Sequence, residues 1–436
     1  MDTKKKKREQ SHYISLIIMI IIIFGFHHYT DDYLNNLSEK YILQIKKSLN
    51  KNSIINKIFF LIYEYISNTK IIIFLMLIIV YNFGNIYKIL ILFLNLQLTN
   101  LISSLLKILY RAPRPFWKLS SEQILSNTKE FVYQSGYGNP SSDILISVSF
   151  YLTLHKIIQS NKNLKESKII IKLIIRLLTI FMILFHMYMA WIYYSNSLSQ
   201  ILFSFFLAIA VYFFIFYVLN LYSNDYRQIK YLLDYPIYFQ GLSFLGICFV
   251  YIFIFFVLKR ISPIDDSYMK MLNILNNSPL ISNKHFIQSL FFDAFINFSI
   301  FFANVGIISA MKFEYHKVFE RNFNNWAQYN FEIEDEKEDD DQSIFSQISF
   351  NKVIQWNHTS LLHSILRLVF ILILLFLSSL GFIFISWHDN IFLVIFVKLI
   401  LTMNLIGFGT FFAYKQILKY LKVTNLTFFI MLRESI

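Results

Sequence analysis

The sequence predicts an all-α integral membrane protein, a multi-span helical bundle, and three observations carry that prediction. Of 436 residues, 56% are hydrophobic and only 15% are charged. The apolar residues fall in long blocks separated by short polar breaks. The 40 Lys and Arg, against 27 Asp and Glu, mostly bracket those blocks, an arrangement that suits anionic head groups better than nucleic acid. The one cysteine, Cys248, lies inside an apolar run, so no intrachain disulfide can form. No Cys/His cluster has metal-ligand spacing, and neither a metal nor another cofactor is expected.

In chain order, Lys4 to Arg8 precede an uncharged run from Gln10 to Thr30. That run is long enough to cross a hydrocarbon core of about 30 Å at roughly 1.5 Å per residue. No small-residue cleavage site follows, so it reads as a signal-anchor helix with its N-terminus cytosolic. From Asp31 to Lys70, lysines alternate with Ile, Leu and Phe, predicting one or two helices lying in the interface. Ile71–Tyr87 and Ile89–Leu106 read as a helical hairpin, and Ile144 to about Ser160 as the next span. The 48 residues between Arg176 and Asp225 carry no charge, enough for two spans with a break near Tyr194–Ser197. Further spans read as Pro236–Leu258, Phe286–Met311, Leu361–Trp387 and Ile391 to about Tyr414, about ten in all. Residues 332–341 hold eight acids around Lys337, a charge density that cannot pack, so a solvated disordered loop is expected there. The expected organisation is residues 1–70 as basic N-terminus, anchor and interfacial helices, 71–222 as a core, and 223–436 as four further spans with the acidic loop.

The most informative stretch is Lys107 to Pro115, where a greasy helix runs into a proline-stiffened turn carrying Lys107, Arg111 and Arg114. Cations at a membrane exit suit a phosphate; taken alone, Lys107 and Arg111 also fit interfacial anchors that snorkel to head groups. Some 25 residues later, Gly138-Asn139-Pro140-Ser141-Ser142-Asp143 opens the next helix.

The spacing Lys107, six residues, Arg114-Pro115, followed by Pro140-Ser141 at a helix start, resembles the motif series of the type 2 phosphatidic acid phosphatase (PAP2) superfamily. By motif the resemblance covers residues 107–200, and by helix pattern about 71–222. It implies a six-helix core and a metal-free phosphatase working at the membrane surface. In that family a third-motif His attacks phosphorus, an Asp orients it, a second-motif His protonates the leaving oxygen, and Lys and two Arg hold the phosphate. Those roles make physical sense. Neutral imidazole is a competent nucleophile near neutral pH, and guanidinium forks match phosphate oxygens.

Carried over by spacing, the phosphate-binding positions are Lys107 and Arg114, with Ser141 and Ser142 at a helix N-terminus offering backbone N–H groups to an anion. The remaining family positions depart. Asp143 stands for the leaving-group acid, Ala190 for the third phosphate-binding Arg, Asn196 for the nucleophile and Gln200 for its orienting partner. An amide cannot carry a phosphoryl group through hydrolysis. Asp143 would act as an acid only with a strongly raised pKa, and two nearby cations push the other way. Four replacements together predict a degenerate catalytic site. His186 reads as a packed intramembrane histidine.

The expected activity is thus binding of a phosphorylated lipid or phosphate ester at the lumenal or external face of the endoplasmic reticulum or plasma membrane, with lipid phosphate phosphatase chemistry weak or lost. Two readings from other classes stand beside it. Asp293, with Asn297 and Asn304 on one helix face, would make an intramembrane pair with Lys398 in a transporter or channel-like protein; a span starting later would leave Asp293 interfacial. A membrane scaffold would use the acidic loop 332–341 to dock a protein partner. Membrane lipid is the expected partner and nucleic acid is not.

Overall fold

The structure, a computed structural model, describes residues 2–48, 86–115, 137–159, 169–192 and 196–218, with isolated helical positions between 246 and 409. Asp293, Lys398, the acidic loop and all but scattered positions of the four later spans lie outside the described residues, as does residue range 71–85. The chain divides into two compact units, 1–72 with 94–225 and 238–301, and 73–93 with 226–237 and 302–436. Of the second, the described residues are the start of one helix and isolated helical positions.

The described elements are all helical: α1 (Asp2–Ser48), α2 (Ile86–Tyr110), α3 (Ser142–Gln159), α4 (Ile169–Ile192) and α5 (Leu198–Phe213), the last continuing as a π-turn over Phe214–Val218. Among the described residues, three helices are long and apolar enough to cross a membrane: Ser11–Ser38, Ile169–Ile192 and Leu198–Tyr217. The break between the second and third falls where the 48-residue uncharged stretch predicts it.

One expectation is corrected. The helix that contains the anchor does not stop at Thr30; it runs on to Ser48. No Gly or Pro occurs between Phe26 and Ser48, Thr30 Oγ1 bonds back to the Phe26 carbonyl at 2.7 Å, and Asn35 donates to Asp31 across one turn at 3.1 Å. The helix continues through the polar residues after Thr30. Ser38, 1% exposed, instead docks on the neighbouring helices: its Oγ accepts from Trp191 Nε1 at 2.9 Å and from the Leu198 amide at 3.3 Å.

α5 is the central helix, packed against α1, α3 and α4. Of its span, 56% is buried, against 11% for the spans in α1 and α4. Those outer helices expose Ile17, Ile21, Ile174 and Phe181, faces that only lipid would cover without cost. α1 runs antiparallel to α5, with His12 against Phe213 and Tyr217 at one end and His27 against Phe203 near the other. α2 and α3 are more polar than a lipid-facing span, and that polarity is turned inward. Asn95 donates to the Ser149 carbonyl at 2.9 Å and to Thr153 Oγ1 at 2.6 Å, and accepts from Ser149 Oγ. Such bonds between helices replace the hydrophobic drive that hydrocarbon surroundings do not supply, and buried small residues such as Ser147, Ser204 and Ala208 let backbones approach.

Candidate functional site

The site forms where two turns meet the start of α5. The first follows α2. Arg111 has φ 47°, the left-handed conformation that side-chain-bearing residues enter at a cost of about 1–2 kcal/mol. Pro113 then holds Ala112 out of the helical region. The second turn, 137–141, enters α3, and its Gly138 amide donates to the Ala112 carbonyl at 3.0 Å, pinning the turns together. Lys107, in the last turn of α2, is 1% exposed and donates from Nζ to the Tyr137 carbonyl at 3.0 Å. Arg114 is 2% exposed. The two cations at the expected phosphate positions are thus both buried within this pair of turns. Arg111 is less enclosed; its Nε bonds the Ile108 carbonyl at 3.3 Å, and burial pulls its pKa below the ordinary value without discharging it.

Asn196 and Gln200 come to the same place and act as struts. Asn196 Nδ2 donates to the Gly138 carbonyl at 2.8 Å and to Gln200 Oε1 at 3.2 Å, and its Oδ1 accepts from Ser141 Oγ at 3.0 Å. Gln200 Nε2 donates to the Pro113 carbonyl at 2.9 Å. Gln200 is also N3 of α5 in a capping box with Ser197: its Oε1 accepts from the Ser197 amide at 3.2 Å, and Ser197 Oγ accepts from the Gln200 amide at 3.3 Å. One glutamine side chain therefore caps a helix and braces both turns. Gly138 leaves room for it, since a Cβ there would lie 2.6 to 2.9 Å from the Gln200 side-chain amide. Gly138→Ala is expected to displace that amide and cost about 1–3 kcal/mol, read as a lower thermal midpoint of the detergent-solubilised protein.

Ser141 is corrected in its role. Its amide does not stand open to an anion at the helix start, because it donates to Ser204 Oγ at 2.7 Å, and Ser204 Oγ in turn donates to the Gln200 carbonyl at 2.6 Å. The reason is the close approach of α3 and α5 through small residues. Ser142 is 7% exposed. Asp143 is half-buried in the first turn of α3, where a carboxylate favourably meets the helix dipole. Ala190 is fully buried, and its carbonyl accepts from the Asn196 amide at 3.4 Å. His186 is fully buried on α4, Nδ1 toward the Met182 carbonyl at 3.2 Å and its ring edge-on to Tyr151 and Phe185, a packed histidine as the sequence suggests.

Sequence reasoning missed α1. His27, 4% exposed, stacks on Phe203 at 4.2 Å and meets Tyr110 edge-on at 5.4 Å. Its Nε2 lies 2.7 Å from Asn139 Nδ2, and its Nδ1 lies 3.1 Å from Ser199 Oγ, which donates to Asp31. The available signal was an ionisable residue inside an apolar span with a carboxylate one turn on, at positions 27 and 31. A separate groove of about 350 Å³ lies between α1 and α5, lined by Ser15, Ile18, Met19, Ile22, Ile23, Phe206 and Ile209.

Comparison with known proteins agrees on the family. Residues 88–223 match the family model of the PAP2 superfamily, a stretch that includes Lys107, Arg114, the 137–141 turn, Asn196 and Gln200. Searches of curated proteins and of solved structures gave no match. Over residues 88–223, this chain is similar to the PAP2 superfamily, a match consistent with membership of it.

Proposed function

We propose that this chain binds the phosphate of a phosphorylated lipid through Lys107 and Arg114, at the external or lumenal end of its bundle, and that catalysis there is weak or lost. One observation carries the reading: two buried cations share a pair of turns with Asn196 and Gln200, whose side chains are committed to bracing those turns. Burying a cation in a membrane protein is costly and marks functional positions, with anions as the natural partners. Neither amide can form or orient a phosphoryl intermediate.

The apolar groove favours a lipid over a water-soluble ester. Ile23 lies one helical turn from His27, and Phe206 one turn from Phe203. From His27 to the far end of the groove at Ser15, α1 covers about 18 Å at 1.5 Å per residue, the reach of a hydrocarbon tail whose head group sits at the turns. With the N-terminus cytosolic, the tail points into the bilayer interior.

The test measures both properties in the full chain. Wild type should bind vesicles containing phosphatidate and release little or no phosphate from phosphatidate, a sphingoid-base phosphate or a polyprenyl diphosphate. Arg114→Ala should lower vesicle binding at least tenfold. Turnover that Asn196→Ala abolishes would sink the lost-catalysis reading; binding indifferent to Arg114→Ala would sink the phosphate site.

A further inference from the structure

With the Asn139 amide oriented as it stands, the contacts around His27 fit one neutral tautomer. Ser199 Oγ has one proton and gives it to the Asp31 carboxylate, so at the 3.1 Å contact Nδ1–H must donate to Ser199 Oγ. Asn139 Nδ2 carries only donors and faces Nε2 at 2.7 Å, so Nε2 accepts. Imidazole in this arrangement is neutral. It leaves Asn139 Oδ1 buried without a hydrogen-bond partner, in a residue 2% exposed. Asn139 stands in the turn between Gly138, whose carbonyl receives Asn196, and Ser141; the Tyr137 carbonyl of the same turn receives Lys107.

A half-turn of the Asn139 amide exchanges its oxygen and nitrogen. Oδ1 then faces Nε2 and requires a proton there, making His27 an imidazolium with both N–H groups satisfied. Nδ2 takes the place of the orphaned oxygen and becomes a buried donor, suited to an anion where Oδ1 repels one. We infer that Asn139 and His27 form a proton-coupled anion gauge, in which binding of a tetrahedral oxyanion beside Lys107 and Arg114 turns the Asn139 amide and draws one proton onto His27. Among the described residues, the charged or titratable groups that meet the imidazole are Asp31, 3.9 Å away, and His28 on its own helix, and Tyr110 on α2. The 137–141 turn and α5 face it with Asn139, Ser199 and Phe203, none of which titrates. Asp31, 39% exposed, joins Ser199 in a route from solvent to the buried ring. Asn139 and His27 are positioning residues, acting on the anion through the amide.

The inference rests on the phosphate-site reading, and the experiment separates the two. Tungstate, a tetrahedral oxyanion that stays ionised around neutral pH, is titrated calorimetrically into the full chain in lipid nanodiscs, in buffers of differing ionisation enthalpy. Wild type should take up about one proton per tungstate, with affinity falling up to tenfold per pH unit above the histidine range. The sign follows because the complex holds the proton and the free protein does not. His27→Gln keeps donor and acceptor but cannot charge, and should bind with no proton uptake and a flat pH profile. Asn139→Asp places a fixed carboxylate there, and should lose uptake and bind more weakly; it carries the comparison where His27→Gln fails to fold. Wild type that binds no tungstate overturns both readings. Binding without proton uptake, or uptake unchanged in the folded variants, overturns the gauge alone.

Discussion

Lys107→Ala is expected to lower the affinity of the full chain for phosphatidate vesicles by roughly ten- to hundredfold, the equivalent of about 1.5–3 kcal/mol for a hydrogen bond to a charged group. The position of the residue is the reason. Lys107 closes α2 at 1% exposure, with Nζ 3.0 Å from the Tyr137 carbonyl, so it links the two turns as well as carrying charge. Truncation removes both functions, and a thermal destabilisation of about 1–3 kcal/mol should accompany the binding loss, because the Tyr137 carbonyl loses its buried donor. Lys107→Met also removes the Nζ donor and the charge but preserves the packed stem, so binding should fall as far as in alanine while the thermal midpoint falls less. A Met variant that binds like wild type would show that the charge of Lys107 has no part in binding.

Asn196→Leu should produce the largest stability loss in the site, about 3–5 kcal/mol, measured as the thermal unfolding midpoint in detergent. Leucine matches asparagine closely enough in size to fill the space. It strands Ser141 Oγ and the Gly138 carbonyl, and leaves Gln200 Oε1 with the Ser197 amide alone. Each stranded buried group costs about 1–3 kcal/mol, and because they share one network the costs do not simply add. The same geometry predicts the result of Asn196→His. Imidazole lacks the fork of one acceptor and two donors that these groups need, so the variant should be destabilised. It should also show no phosphate release, since Asp143 and Ala190 still stand at the other family positions. Robust turnover from that single change would mean the catalytic arrangement is intact apart from position 196.

Much of this site is legible along the chain because its parts are local. The run Lys107 to Pro115 declares a helix end, a turn and a cluster of cations, since a proline restricts its own residue and the one before it. The break at Tyr194–Ser197 places the start of α5, where the structure shows Ser197 and Gln200 in a capping box. Hydropathy finds the break between α4 and α5 because span length is set by the membrane and helix rise. The family spacing adds that residues 107–115, 138–143 and 196–200 belong together.

What local reasoning misreads are residues whose partners lie far away in sequence. Ser141 looks like an open helix N-terminus until Ser204, 63 residues on, occupies its amide. Asn196 and Gln200 look like failed chemistry, and the structure gives them a positive task, bracing backbone carbonyls at Gly138 and Pro113. The polar residues after Thr30 look like the end of a span, yet Ser38 docks on Trp191 and Leu198.

By itself, the sequence determined the helical membrane class, the resemblance of the α2 to α5 stretch to PAP2, and the two cations at the end of α2; all follow from hydropathy, propensity and short-range spacing. Only the tertiary structure decided that α1 belongs to the site. His27 reaches Asn139 across 112 residues and Ser199 across 172, because α1 packs antiparallel along α5, and no periodicity within either helix encodes which faces of the two will meet.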